Sequence, residues 1–190
     1  MKTFINSIWG GIMISIGSMV YLNCPNKIVG AFLFSIGLIT IMIFKFKLYT
    51  GEIGYIRKPS EVPYILTILI GNFIGCISIL MTPTNNAEEI IVNKLNCYLP
   101  YTFGKAIICG IIIYVCVATY RATKNWYIVL IGVPTFILCG AEHSIADLCF
   151  IFAAREFTLK AFIFMMIVVI GNAIGSLCIS LCTQYTQQND

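Results

Sequence analysis

Charge is scarce in this chain: Asp, Glu, Lys and Arg together make up 11% of its 190 residues, against roughly 25% in soluble domains. With 59% hydrophobic residues and a mean hydropathy of +0.91, it has too little polar surface for a water-soluble fold. The formal charge of +4 is scattered, and no basic run is long enough to make a nucleic-acid arm. There is a single histidine, and no CxxC pair accompanies a histidine cluster, so neither a metal site nor a cofactor is expected. The nine cysteines are an odd number, which excludes a complete disulfide framework. Cys76, Cys109, Cys116, Cys139, Cys149, Cys178 and Cys182 fall in apolar stretches and read as free thiols that pack as small apolar groups.

What the chain does have is long uncharged windows, at 3–26, 28–44, 62–87, 106–120, 125–141 and 161–189. A helix crossing the hydrocarbon core needs roughly 17–25 mostly apolar residues. The expected spans are 4–22, 28–46, 63–82, 102–120, 126–154 and 159–183, joined by short turns rich in Asn and Pro. The first window ends without a convincing small-residue cleavage site and reads as a retained span. The result is an all-α integral membrane protein of one domain, residues 1–190.

Two spans are interrupted by polar residues, the second at 45–52 (KFKLYTGE) and the fifth at 142–147 (EHSIAD). Each is followed by a span bearing the pattern GNxIG, at Gly71–Asn72–Phe73–Ile74–Gly75 and Gly171–Asn172–Ala173–Ile174–Gly175. The chain thus reads as two halves, about 1–85 and 95–190, each a span, a broken span and a span. Because three is odd, the halves enter the membrane from opposite sides, the plan in which broken helices surround a midplane site. Asn72 and Asn172 read first as helix–helix glue, with flanking glycines allowing close approach. Placing the termini in the cytoplasm puts Lys2, Arg57, Lys58, Arg121 and Lys124 on the inner side, which the positive-inside rule favours slightly.

His143, between Glu142 and Ser144, lies near the middle of an otherwise apolar span. Ionisable groups at that depth face a bundle interior or a water-filled cavity. A side chain that gains and loses a proton near neutrality suits the passage of a weak-acid anion, whose bare charge would face tens of kcal/mol in hydrocarbon. Glu142 would repel anions, so it is expected to be protonated or turned away to bond backbone amides. Asp147 is expected to cap the half-helix beyond the break. Thr50, on the other broken span, is expected at a position equivalent to His143 and converging on it. Lys94, before the fourth span, is either a solvated loop charge or an attractor of anions at the pore mouth, a part Lys45 and Lys47 could take on the inner side.

Leu48–Tyr49–Thr50–Gly51, Glu142–His143–Ser144–Ile145–Ala146–Asp147 and Gly171–Asn172–Ala173–Ile174–Gly175, in that order across six spans, resemble the formate/nitrite transporter family, as do residues 30–38 (GAFLFSIGL) and 115–118 (VCVA). The resemblance implies an aquaporin-like fold, a homopentamer with one pore per protomer in the plasma membrane, and passage of formate, nitrite or related small monovalent anions such as hydrosulfide, acetate and lactate, together with protons. It implies His143 as central gate or proton donor with Thr50 as its partner, Phe34 and Phe136 as an outer constriction, and Leu38 and Leu48 as an inner one. Lys94 matches the lysine that draws anions to the vestibule, and Asn172 the sixth-span asparagine. Ser144 and Asn72 read as supporting residues. The chain departs from the family pattern at Lys47, Glu52, Asp147 and Gly110, the last standing where a fourth-span asparagine is expected to supply a pore hydrogen bond. The stretch from Thr50 to Gly71 is also short.

Three other readings compete. A neutral-solute channel suits broken helices, but the paired NPA motifs are absent. A membrane enzyme built on Glu142, His143 and Ser144 is opposed by helix geometry, since adjacent residues point in different directions. A transport-inactive structural relative is kept open by the shortened loop.

Overall fold

The computed structural model describes residues 1–189, with side chains through 186. Among these the structure is all helical: α1 Lys2–Asn23, α2 Lys27–Phe44, α3 Tyr49–Glu52, α4 Val62–Cys76, α5 Ala87–Leu95, α6 Leu99–Thr123, α7 Tyr127–Leu138, α8 Ser144–Ala154 and α9 Leu159–Asn189. Helical 3-10 segments extend α3 over Ile53–Tyr55 and α4 over Ile77–Met81. Five stretches are long and apolar enough to cross a membrane: Lys2–Asn23, Lys27–Phe44, Pro59–Met81, Leu99–Thr123 and Leu159–Thr186. The fifth expected span, 126–154, is broken into two shorter helices, α7 and α8, with the irregular stretch at residues 139–143, a few residues before the expected 142–147.

The polarity of the molecule is inverted relative to a soluble fold. Phe32, Leu33, Ile36, Leu66, Ile70, Phe162, Met166 and Ile170 are exposed, while Asn72, Asn172, Thr50, His143, Glu142 and Asp147 are buried. An apolar exterior around buried polar groups is the arrangement that a lipid solvent would require. Along α9, Phe164, Val168, Asn172, Ser176 and Ser180 recur every fourth residue and are all buried, so one face of that helix turns inward.

Small residues let the long helices touch. A side chain at Gly11 would meet the carbonyl oxygen of Asn72, and one at Gly110 the carbonyl oxygen of Asn172. Gly75 and Gly175 lie in the same way against the carbonyl oxygens of Ile8 and Ile107. Gly110, expected to line the pore, therefore sits where α6 packs on α9, and its carbonyl accepts a 3.0 Å bond from Ser176 Oγ. Its lack of a side chain serves packing.

α5 was not anticipated. Ala87, Ile91 and Leu95 recur every fourth residue and are buried, which seats the helix on the bundle. Lys94 is thus in the last turn of a helix and not in a solvated loop.

Candidate functional site

The two interruptions are built alike. α2 ends at Lys45 (φ 58°) and α7 runs into Gly140 (φ 70°), the left-handed conformation that stops a helix. Phe46 N then donates to Ile41 O (3.0 Å), and Ala141 N to Phe136 O (2.9 Å). Next, Lys47 N donates to Asn6 O (3.1 Å), and Glu142 N to Lys105 O (3.4 Å). An asparagine closes each break. Asn72 Nδ2 donates to Ser7 O (2.7 Å) and Lys47 O (2.8 Å), and its Oδ1 accepts from Tyr49 N (2.8 Å). Asn172 Nδ2 donates to Ala106 O and Glu142 O (both 2.8 Å), and its Oδ1 accepts from Ser144 N (2.9 Å). Each carboxamide makes two bonds to the backbone of its break and one to a neighbouring long helix, α1 or α6.

This register corrects an expectation. The residue bracketed by the Asn172 bonds is His143, and the residue bracketed by the Asn72 bonds is Leu48. Thr50 does converge on His143, with Oγ1 3.0 Å from Nε2, but it lies two residues beyond the matching position. The helices beyond the breaks also differ in length: α8 runs for 11 residues and α3 for 4.

His143, not Asp147, caps α8. Its Nδ1 accepts from Ala146 N at 3.1 Å, so Nδ1 carries no proton and the neutral ring holds its hydrogen on Nε2, directed at Thr50. To become a cation the ring must give up its cap. Phe136 stacks on the imidazole with centroids 5.4 Å apart, and Phe34 meets Phe136 edge to face at 6.3 Å.

Cavities open on either side of this centre. One, about 410 Å³, is bordered by Phe34, Phe136, His143, Lys94, Glu142 and Asp147. The other, about 320 Å³, is bordered by Leu48, Lys45, Lys47, Glu52, Arg121 and Lys124. Thr50 and Leu38 are buried and border neither. Phe34, Phe136 and His143 thus border the first cavity, and Leu48 the second.

Lys94 reaches Glu142 Oε2 and lies 2.9 Å from Asp147 Oδ1. Burial pulls the Lys94 ammonium down, but the carboxylates of Asp147 and Glu142 outweigh it and hold the group above its ordinary range. Glu142 therefore turns its carboxylate to Lys94, and only its backbone groups join the break. At the other mouth Glu52 accepts from Lys47 (2.9 Å) and Arg121 (2.8 Å), with Arg121 4.0 Å over the ring of Tyr55. Ser144, the second supporting residue, gives its backbone N–H to Asn172, while its hydroxyl is buried without a partner among the described residues.

Residues 1–186 match the family Formate/nitrite transporter. The chain belongs to the formate/nitrite transporter family. It is 26% identical to the formate channel FocA of Escherichia coli K12, over 83% of this chain and 70% of the relative, and equally to that of Escherichia coli O157:H7. Among solved structures, a pentameric formate channel with formate bound superposes with a TM-score of 0.81 at 19% identity, covering 100% of this chain and 97% of that one. An FNT family ion channel superposes with a TM-score of 0.79 at 17% identity, covering 97% and 88%. At those identities the superpositions establish the fold, and the family places the chain among multi-pass membrane transporters and channels.

Within this formate/nitrite transporter chain, the sequence missed the paired carboxylates on Lys94 and the Glu52–Lys47–Arg121 cluster. Lys94 and Glu142 are 48 residues apart, and no local pattern links them. Lys47 and Glu52, five residues apart with opposite charges, were a visible signal.

Proposed function

We propose that this chain is a channel for formate and related small weak-acid anions, with His143 and Thr50 as the gate between two vestibules. The observation that carries the reading is the position of the 3.0 Å Thr50–His143 contact, buried between two cavities that each hold cationic side chains. A bare anion cannot cross the apolar stretch made by Phe34, Phe136, Leu38 and Leu48 without tens of kcal/mol of desolvation. The same anion, once protonated, crosses as a small neutral acid and can accept a hydrogen bond from His143 Nε2. His143 acts as a neutral donor and positioner, because its Nδ1 is committed to the cap of α8. Nitrite, hydrosulfide, acetate and lactate are bases of the same kind.

The two halves, about 1–85 and 95–190, are inverted repeats that enter the bilayer from opposite sides. The matched bonds of Asn72 and Asn172 support this. With the termini in the cytoplasm, the Lys94 mouth faces outward and the Lys47 mouth inward across the plasma membrane. The assembly is a homopentamer, supported by the pentameric formate channel that the chain superposes on; the exposed apolar faces then meet lipid and neighbouring protomers.

The test is uptake by vesicles holding the purified chain. Labelled formate is expected to enter faster than into empty vesicles, and faster as the outside is brought from alkaline to neutral pH, while glycerol causes no added swelling. Glycerol permeation without formate uptake would instead make the protein a neutral-solute channel.

A further inference from the structure

The charges at the two mouths are balanced in opposite senses. Beside Leu48 one carboxylate, Glu52, is shared by two cations, Lys47 and Arg121. Beside His143 one cation, Lys94, is shared by two carboxylates, Glu142 and Asp147. Asp147 and Glu142 are each 1% exposed and both border the cavity, and Asp147 Oδ2 has no hydrogen-bond partner among the described residues. With every group ionised, this cluster would carry a net negative charge at the entrance to an anion pathway. Such a charge is costly at membrane depth and would repel the permeant ion.

One proton removes both difficulties. We infer that Asp147 and Glu142 hold a single exchangeable proton between them, and that the entering anion takes that proton before it meets His143. The inference rests on the channel reading above and supplies the proton source that His143, with Nδ1 committed to its helix, does not. The titratable groups around the pair are Lys94 on α5, His143 at the break, Cys97 after α5, Lys105 and Cys109 on α6, and Tyr21 on α1. Lys94 contacts both carboxylates, whereas Lys105 is half-buried and turns toward Cys97 Sγ. Tyrosine and cysteine ordinarily titrate above neutrality. The carboxyl pair is the acid that fits.

In the transfer, the carboxyl O–H bond breaks and an O–H bond forms on the anion's oxygen. The electron pair stays on the cluster's carboxylate, whose charge Lys94 already faces. Hydronium from water in the cavity restores the proton. Asp147 thereby becomes a determinant of selectivity, because an anion of a strong acid cannot accept the proton and is turned back.

Infrared spectroscopy of the full chain in an ester-free detergent tests the first half. Wild type at neutral pH is expected to show a protonated-carboxyl stretch that shifts in deuterated water and is lost in both Asp147→Asn and Glu142→Gln. No such band in wild type, or its survival in both variants, overturns the shared proton. Formate uptake against pH tests the second half. Wild type is expected to level off on acidification once the pair is loaded, whereas Asp147→Asn, dependent on bulk protons, keeps rising about tenfold per pH unit. Superimposable profiles overturn the transfer step alone. Absence of uptake in wild type overturns the transfer step and the channel reading together, while the infrared result stands separately.

Discussion

Replacing Asn172 with alanine removes three hydrogen bonds at once: those to Ala106 O and Glu142 O at 2.8 Å and that from Ser144 N at 2.9 Å. The carboxamide is fully buried, so water does not readily replace them. Hydrogen bonds between membrane helices are worth about 1 kcal/mol each, which puts the total loss at roughly 3 kcal/mol. For a chain of this size about 1 kcal/mol moves the melting temperature by 2–4 °C, so Asn172→Ala is expected to melt roughly 6–12 °C lower in detergent. Asn172→Asp keeps the acceptor for Ser144 N but sets a carboxylate against two carbonyl oxygens, and is expected to fall at least as far. Because Asn72 makes the matching three bonds, Asn72→Ala should lose an amount within about 1 kcal/mol of Asn172→Ala. Thermal melts followed by tryptophan fluorescence and size-exclusion survival measure all three. An unchanged melting temperature in Asn172→Ala would refute the view that the carboxamide holds the break. Loss in one asparagine variant but not the other would refute the equivalence of the two breaks.

Two further predictions concern residues with less obvious roles. Gly110→Asn, which restores the amide the family pattern suggests, is expected to prevent stable assembly rather than improve conduction, because the side chain would run into the carbonyl of Asn172; a soluble, well-folded variant on size exclusion would contradict this. Thr50→Val keeps the shape but removes the acceptor 3.0 Å from His143 Nε2, and is expected to leave melting within about 1 kcal/mol of wild type while changing the formate uptake rate severalfold; an unchanged rate would separate Thr50 from the gate.

Much of this architecture can be read from the amino-acid string because membrane solvation is strict. Uncharged windows of sufficient length become helices, and the polar segments that end two of them mark the two breaks. The repeated GNxIG locates the asparagines that close those breaks. Register was less legible: Leu48 carries no polar signal, and only the backbone bonds to Asn72 reveal it as the counterpart of His143. Side-chain partners distant in sequence were hidden for the same reason. Nothing near Glu142 announces Lys94, and the short helix α5 that delivers it has three buried apolar residues in a charged segment. Asp147 was expected at the helix end, a position the histidine already fills. Gly110 misled because a missing side chain reads as lost function, whereas its place is set by the approach of α6 to α9.

The central claim is that the His143–Thr50 contact is the barrier between the two mouths. Its most direct test is selectivity in vesicles, comparing labelled formate with chloride, an anion that does not accept a proton near neutrality. The account predicts that wild type passes formate and excludes chloride, and that His143→Ala admits chloride at least about tenfold faster, as expected when about 1.4 kcal/mol of barrier is removed. His143→Ala with the formate rate and chloride exclusion of wild type would contradict it.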